Sequence, residues 1–255
     1  MDRIDVNGVG IEYRWVGQSP SDAPTLVFLH EGLGCTEMWR DFPDRVADAL
    51  GWGALVYSRW GYGHSDPRPL PWPMDHMEQE GETGLPALLD TLGVGDHVLW
   101  GHSDGASIAL VSAGHNEDPR LKAVVSASAH VFGGEEIGLR SIEAAKHQFE
   151  RGNLRGGLSR YHADPDGVFS GWADTWLHPD FRSWTIERYL AGITVPVLVA
   201  QGTRDEYGTM RQLDSICSHL GDLAKRVKIE EHGHQLHITA RERMIEETVW
   251  FLTRL

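Results

Sequence analysis

One pentapeptide, Gly101-His102-Ser103-Asp104-Gly105, constrains what this chain can fold into more than any other stretch. An apolar run, Val98-Leu99-Trp100, leads into it, and a helix-forming run from Ala106 to Val111 leads out. A serine between two glycines, entered from a strand and left by a helix, is a sharp turn that lifts its hydroxyl above a sheet. The glycines matter because they let the backbone reverse where a Cβ would collide. The motif alone is short enough to arise by chance, so the surrounding pattern has to carry the argument.

That pattern is an alternation of strands and helices. Thr25–Leu29 and the run from Ala54 to Tyr57 are continuously apolar, as parallel strands buried on both faces require. Trp39, Phe42, Val46, Ala49 and Leu50 recur at helical spacing between them, and Leu85, Leu88, Leu89 and Leu92 form a second helical stripe. Further strands are predicted from Leu121 to Val125, from Val195 to Ala200 and from Val227 to Ile229. A helix bearing Ile245, Val249 and Leu252 closes the chain. Alternation from Ile4 to Val16 around Asn7-Gly8-Val9-Gly10 predicts an N-terminal hairpin. The fold class is therefore α/β, a mostly parallel sheet with helices on both faces.

Residues 131 to 190 break the rhythm. They lack a strand signal but carry Phe132, Phe149, Tyr161, Phe169, Trp172, Trp176, Phe181, Trp184 and Tyr189. Linkers are poor in aromatics, so this stretch is expected to be a helical cap inserted into a core of residues 1–130 and 191–255. A chain of 255 residues is long enough for one such domain with an insertion.

Charge narrows the partners. A formal net charge of −14 argues against nucleic acid and anionic membrane surfaces, and no apolar run approaches a membrane span. The first residues, Met1-Asp2-Arg3-Ile4-Asp5, lack the pattern of a signal peptide. Cys35 and Cys217 suggest no disulfide framework, so a cytoplasmic location is expected. The expected partner is a small-molecule substrate, and the sequence leaves the oligomeric state open.

A serine nucleophile needs a base, and the base needs an acid to orient it. His232-Gly233-His234-Gln235-Leu236-His237 offers three histidines near the end of the chain. Asp205, with Glu206 beside it, follows the strand that ends near Ala200. The order Ser103, Asp205, His234 puts each group just past a strand's C-terminal end, where sites in open parallel sheets collect. The glycine-rich turn His30-Glu31-Gly32-Leu33-Gly34 follows the Thr25–Leu29 strand and is suited to aim a backbone N–H at a developing oxyanion. The amide of Asp104 is the natural second donor. The spacing His-x-His-x-x-His admits a metal reading, but no Asp or Cys completes it locally, so no metal is expected.

Taken together, the chain resembles the α/β-hydrolase superfamily along essentially its full length. The resemblance rests on Leu29-His30-Glu31-Gly32-Leu33-Gly34 with Trp39, Gly61-Tyr62-Gly63-His64-Ser65, the Ser103 pentapeptide, Asp205 and Gly233-His234. It implies acyl-enzyme chemistry without a cofactor, and a cap that shapes the pocket. By position Ser103 matches the nucleophile, Asp205 the acid and His234 the base, with His232, His237 and Glu206 as the alternatives. Gly32 and Asp104 match the oxyanion donors, Leu33 being the alternative to Gly32. Serine at the elbow argues against haloalkane dehalogenase and epoxide hydrolase activity, which in this superfamily use aspartate there.

Glu31 departs from the family pattern, which more usually has glycine after the histidine. A carboxylate aimed at an oxyanion would oppose catalysis, so its side chain is expected to turn away, toward Arg59. The alternative is that Glu31 recognises a cationic or hydroxylated substrate group. Trp172, Trp176 and Trp184 are the expected aromatic contacts of the substrate. The implied activity is hydrolysis of a small to medium carboxylic ester, thioester or lactone. The alternatives are C–C bond hydrolysis of the meta-cleavage type, cofactor-free perhydrolysis, and a ligand receptor or pseudo-enzyme on the same fold.

Overall fold

A computed structural model describes residues 1–17 and 23–255. Its strands are β1 (Asp2–Val6), β2 (Val9–Val16), β3 (Thr25–Leu29), β4 (Ala54–Ser58), β5 (His97–His102), β6 (Leu121–Ala127), β7 (Val197–Gly202) and β8 (Ala224–Ile229). They form one sheet in the order β1-β2-β4-β3-β5-β6-β7-β8. The first two pairings, β1 with β2 and β2 with β4, are antiparallel, and the rest are parallel. The hairpin turn is Asn7-Gly8, both at positive φ, as a tight two-residue connection between twisted strands requires.

The helices are α1 (Phe42–Leu50), α2 (His76–Gln79), α3 (Leu85–Thr91), α4 (Asp104–His115), α5 (Glu136–Glu150), α6 (Asn153–Leu158), α7 (Pro165–Trp176), α8 (Glu187–Leu190), α9 (Met210–Leu220), α10 (Leu236–Thr239) and α11 (Arg241–Leu252). Four of them, α5 to α8, lie between β6 and β7 in sequence; a strand-like bridge, Phe132 to Thr185, ties the two ends of this stretch to each other, and bonds such as Trp184 to Glu78 and Tyr189 to Glu82 tie it to the core.

Successive residues of a strand point to opposite faces, and β5 shows the result. Val98 and Trp100 enter an aromatic layer with Phe28, Trp39 and Phe42, whereas Leu99 joins the layer beneath α4. Trp100 stacks on Phe28 at 5.6 Å and meets Phe42 edge-on at 5.0 Å. Two strand boundaries differ from expectation. β7 begins at Val197 because Pro196 has no N–H to donate to the ladder. β8 starts earlier than its apolar run, since an edge strand tolerates exposed residues such as Arg226 and Lys228 on its outer side.

Candidate active site

Ser103 joins β5 to α4 with φ 54° and ψ −121°, a conformation that L-residues avoid and that the fold imposes. Its neighbours show why glycine is needed twice. A Cβ on Gly105 would lie 2.1 Å from the Leu29 carbonyl oxygen, and one on Gly101 would lie 2.4 Å from the Gly105 carbonyl oxygen. The start of α4 is thus pressed against the end of β3, and the serine is forced outward.

The structure brings Ser103, His234 and Asp205 together from three separate connections. Ser103 Oγ lies 2.8 Å from His234 Nε2, while His234 Nδ1 lies 2.9 and 3.0 Å from the two Asp205 oxygens. Asp205 Oδ1 also accepts from the Tyr207 and Gly208 amides at 2.9 and 3.2 Å. Burial works against the Asp205 charge, but His234 and these amides outweigh it and hold the carboxyl at about 2. Burial likewise disfavours the imidazolium of His234, yet Asp205 raises its pKa above the ordinary value.

The remaining histidines fall elsewhere. His232 is half-buried away from the serine, and His237 is buried against Trp39 with ring centroids 4.8 Å apart. The Glu206 carboxylate accepts from the His234 backbone N–H at 3.1 Å, holding the loop rather than the ring.

The expected partner of Glu31 is corrected. Arg59 donates to the backbone carbonyls of His30 and Glu31, and the Glu31 carboxylate instead faces His102 Nδ1 at 3.4 Å. Arg59 is spent on the turn itself, bridging two successive carbonyls, the second of which also accepts from the Gly34 amide at 3.1 Å. His102 Nε2 lies 3.0 Å from the His234 carbonyl oxygen, so both ring nitrogens of His102 face acceptors. Burial opposes ionisation of Glu31, but the surrounding imidazoles, His102 foremost, hold its carboxyl well below the usual range. His237, pushed down to about 3 by burial, stays neutral beside them.

Glu31, His102 and His237 place one carboxylate oxygen and two ring nitrogens within 4.8 Å of one another, a grouping drawn from three distant parts of the chain. Such a donor set suits a transition metal in kind. However, His102 already engages Glu31 and the His234 carbonyl, and those two contacts account for how its ring is held. Cys35 is buried and its thiol is pushed up to about 12, which leaves it without nucleophilic character.

Above the serine lies a cavity of about 320 Å³. Ser103, Asp104, Gly32, Glu31 and His234 form its floor, and Trp172 and Trp176 come from α7. A Cβ on Gly32 would meet the Trp172 indole nitrogen at 2.2 Å and Asp104 Oδ2 at 2.8 Å, so the tryptophan covers the turn. Trp184 does not line the cavity. Its indole donates to Glu78 at 3.1 Å and its ring stacks on Phe181, a packing role that composition cannot separate from a binding one. Sequence reasoning missed His130, Phe132, Tyr207 and Gln212 as lining residues, because all four sit in loops or on a helix distant in sequence from the elbow.

Residues 24–183 match the family model for the alpha/beta hydrolase fold. Over 129 residues the chain is 30% identical to epoxide hydrolase 2 of Siraitia grosvenorii, a stretch that is 50% of this chain and 38% of that protein. The enol-lactonase of Burkholderia xenovorans superposes with a TM-score of 0.75 at 21% identity, covering 99% of this chain and 100% of the other. A thermophilic esterase from Thermogutta terrifontis gives 0.76 at 15% identity, covering 100% and 99%. No helix among the described residues is long and apolar enough to cross a membrane. With a family match over most of its length and this sheet order, the chain belongs to the alpha/beta hydrolase fold family.

Proposed function

We propose that this chain is a serine hydrolase that cleaves a small to medium carboxylic ester, thioester or lactone through an acyl-enzyme. The observation that carries the proposal is the unbroken relay from Asp205 to His234 Nδ1 at 2.9 Å and from His234 Nε2 to Ser103 Oγ at 2.8 Å. His234 takes the Ser103 proton as the oxygen attacks the carbonyl, and Asp205 fixes the tautomer and stabilises the imidazolium. The Gly32 and Asp104 amides receive the oxyanion, and His234 then activates the water that releases the acyl group.

Residues 131–190 act as the cap, with Trp172 and Trp176 as its substrate-facing aromatics. The size of the cavity, about 320 Å³, fits a compact substrate. The relative named an epoxide hydrolase shares the fold, but a serine at the elbow favours acyl transfer over the opening of an epoxide.

Hydrolysis of p-nitrophenyl esters from acetate to decanoate, by the wild type and by Ser103→Ala, tests the proposal. Turnover that disappears in the variant while the variant stays folded is expected. Absence of turnover across the series, together with no labelling of Ser103 by a fluorophosphonate, would overturn it.

A further inference from the structure

The cavity that holds Ser103 is bordered by carboxylates. Glu31, Asp104, Glu135 and Glu206 all line it, and no lysine or arginine does so among the described residues. Three of the four are occupied. Glu135 accepts from the Thr209 amide and from Gln212 Nε2, each at 2.9 Å, Glu206 accepts from the His234 amide, and Glu31 faces His102.

Asp104 differs. It is 2% exposed, its Oδ2 is buried with no partner within 3.5 Å, and burial pushes its carboxyl up against the pull of Arg59 and of the nearby Trp176 indole, whose own N–H is also unpartnered. It belongs to the residue directly after Ser103, and a Cβ built on Gly32 would lie 2.8 Å from it. The atom therefore sits beside the turn that faces the serine hydroxyl. A buried polar atom left unpaired costs stability, so its place beside a nucleophile calls for an explanation. Arg59, the nearest guanidinium, is engaged by the His30 and Glu31 carbonyls and lies over the Tyr62 ring at 4.6 Å. It gives the cavity no free cation with which to hold an anionic group.

Building on the serine-hydrolase reading, we infer that the substrate carries no negative charge on its acyl part and presents a hydroxyl or amine donor near the scissile carbonyl, received by Asp104 Oδ2. A carboxylate on the acyl chain would meet the bordering carboxylates at short range in a low-dielectric space. A hydroxyl or ammonium on the same carbon skeleton would instead satisfy the one unpaired oxygen. The inference is one of substrate class, and it separates this cavity from sites that hold the free carboxylate of a diacid.

Four methyl esters of similar length test it: butyrate, 3-hydroxybutyrate, β-alanine and the monoester of succinate, followed by methanol release. p-Nitrophenyl butyrate serves as the reference for the hydrolase reading, so that loss of all ester hydrolysis is told apart from loss of selectivity. The monomethyl succinate ester is expected to fall below butyrate by about 100-fold in kcat/KM, the scale of one uncompensated like-charge contact at roughly 6 Å. The hydroxyl and amine esters are expected to exceed butyrate by about tenfold, the scale of one hydrogen bond to a buried carboxyl.

In Asp104→Leu, which keeps the heavy-atom count and branching of the side chain but offers no acceptor, the ratio of 3-hydroxybutyrate to butyrate should collapse to near unity. That ratio is read against each enzyme's own butyrate rate, and circular dichroism checks the fold. Succinate cleaved as well as butyrate by the wild type would overturn the charge selection. No advantage for the hydroxyl and amine esters, or an advantage that survives in Asp104→Leu, would overturn the role of Asp104.

Discussion

Glu31 and His102 form a buried pair beneath the candidate base: Glu31 Oε2 is 3.4 Å from His102 Nδ1, and the far nitrogen of the same ring is 3.0 Å from the His234 carbonyl. Ser128 Oγ donates to that same carbonyl at 3.0 Å. The backbone of His234 is thereby fixed from two directions, and its ring is left free to move protons. Each nitrogen of the His102 ring thus faces an acceptor, the Glu31 carboxylate on one side and the His234 carbonyl on the other.

Glu31→Gln keeps a side-chain group facing His102 and should lower kcat by less than about tenfold with little change in melting temperature. Glu31→Leu leaves the His102 ring without its charge partner and should cost about 1–3 kcal/mol of stability, with a larger loss in kcat than in affinity. Chemical denaturation and steady-state kinetics on the two variants check this. Equal losses in both would mean that the pairing with His102 is unimportant.

The pH profile follows from the shifted groups. Protonated His234 cannot accept the serine proton, so kcat/KM should fall on the acid side at a pH above the ordinary histidine value, because Asp205 raises the His234 pKa. Asp205→Asn should move that limb to lower pH and reduce kcat by about 10⁴. Stability responds with opposite signs. The raised His234 contributes stability below its unfolded value that is lost as pH rises through its folded value. The depressed Asp205 contributes stability above its unfolded value that is lost as pH falls toward about 2. Unfolding measured from pH 3 to 9 should show both slopes in the wild type and lose them in Asp205→Asn, which removes the carboxylate and with it the cause of the raised His234 value.

Trp172 and Trp184 should part company. Trp184→Phe removes the donor to buried Glu78 and should destabilise by about 1–3 kcal/mol with KM unchanged. Trp172→Phe, on the α7 side of the cavity over Gly32, should raise KM with a smaller change in stability. A KM effect from Trp184→Phe would place that residue back among the substrate contacts.

Gly105→Ala is expected to fail for a backbone reason. Its new methyl would meet the Leu29 carbonyl group at 2.1 Å, and neither β3 nor α4 can yield without moving Ser103. A loss of about 3 kcal/mol, with activity falling further than stability alone requires, is the expected result. Thermal unfolding and p-nitrophenyl ester kinetics on the purified variant measure it.

The alternation of apolar runs and helical stripes was enough to read the fold class, since strands buried on both faces leave little else for such runs to do. The meeting of Ser103, Asp205 and His234 was foreshadowed by their order and by the strand end that precedes each. What the chain did not reveal was side-chain direction. Glu31 was expected at Arg59, and only the folded turn shows that the two backbone carbonyls claim the guanidinium first. Trp184 and Trp172 look alike as letters, yet one caps a buried glutamate and the other covers Gly32. Lining residues such as His130 and Gln212 depend on how the connection after β6 folds back against α9, which no local spacing encodes.

The distance along the chain between the serine and its base, 131 residues, sets an order of events during synthesis. At about 5–20 residues per second, the ribosome exposes the elbow about 7 to 26 seconds before it delivers His234. Through that interval the hydroxyl of Ser103 is an ordinary alcohol, since nothing nearby removes its proton. On the proposed serine-hydrolase reading, a nascent chain is thus chemically silent toward esters until the connection that carries His234 docks against Ser128 and His102.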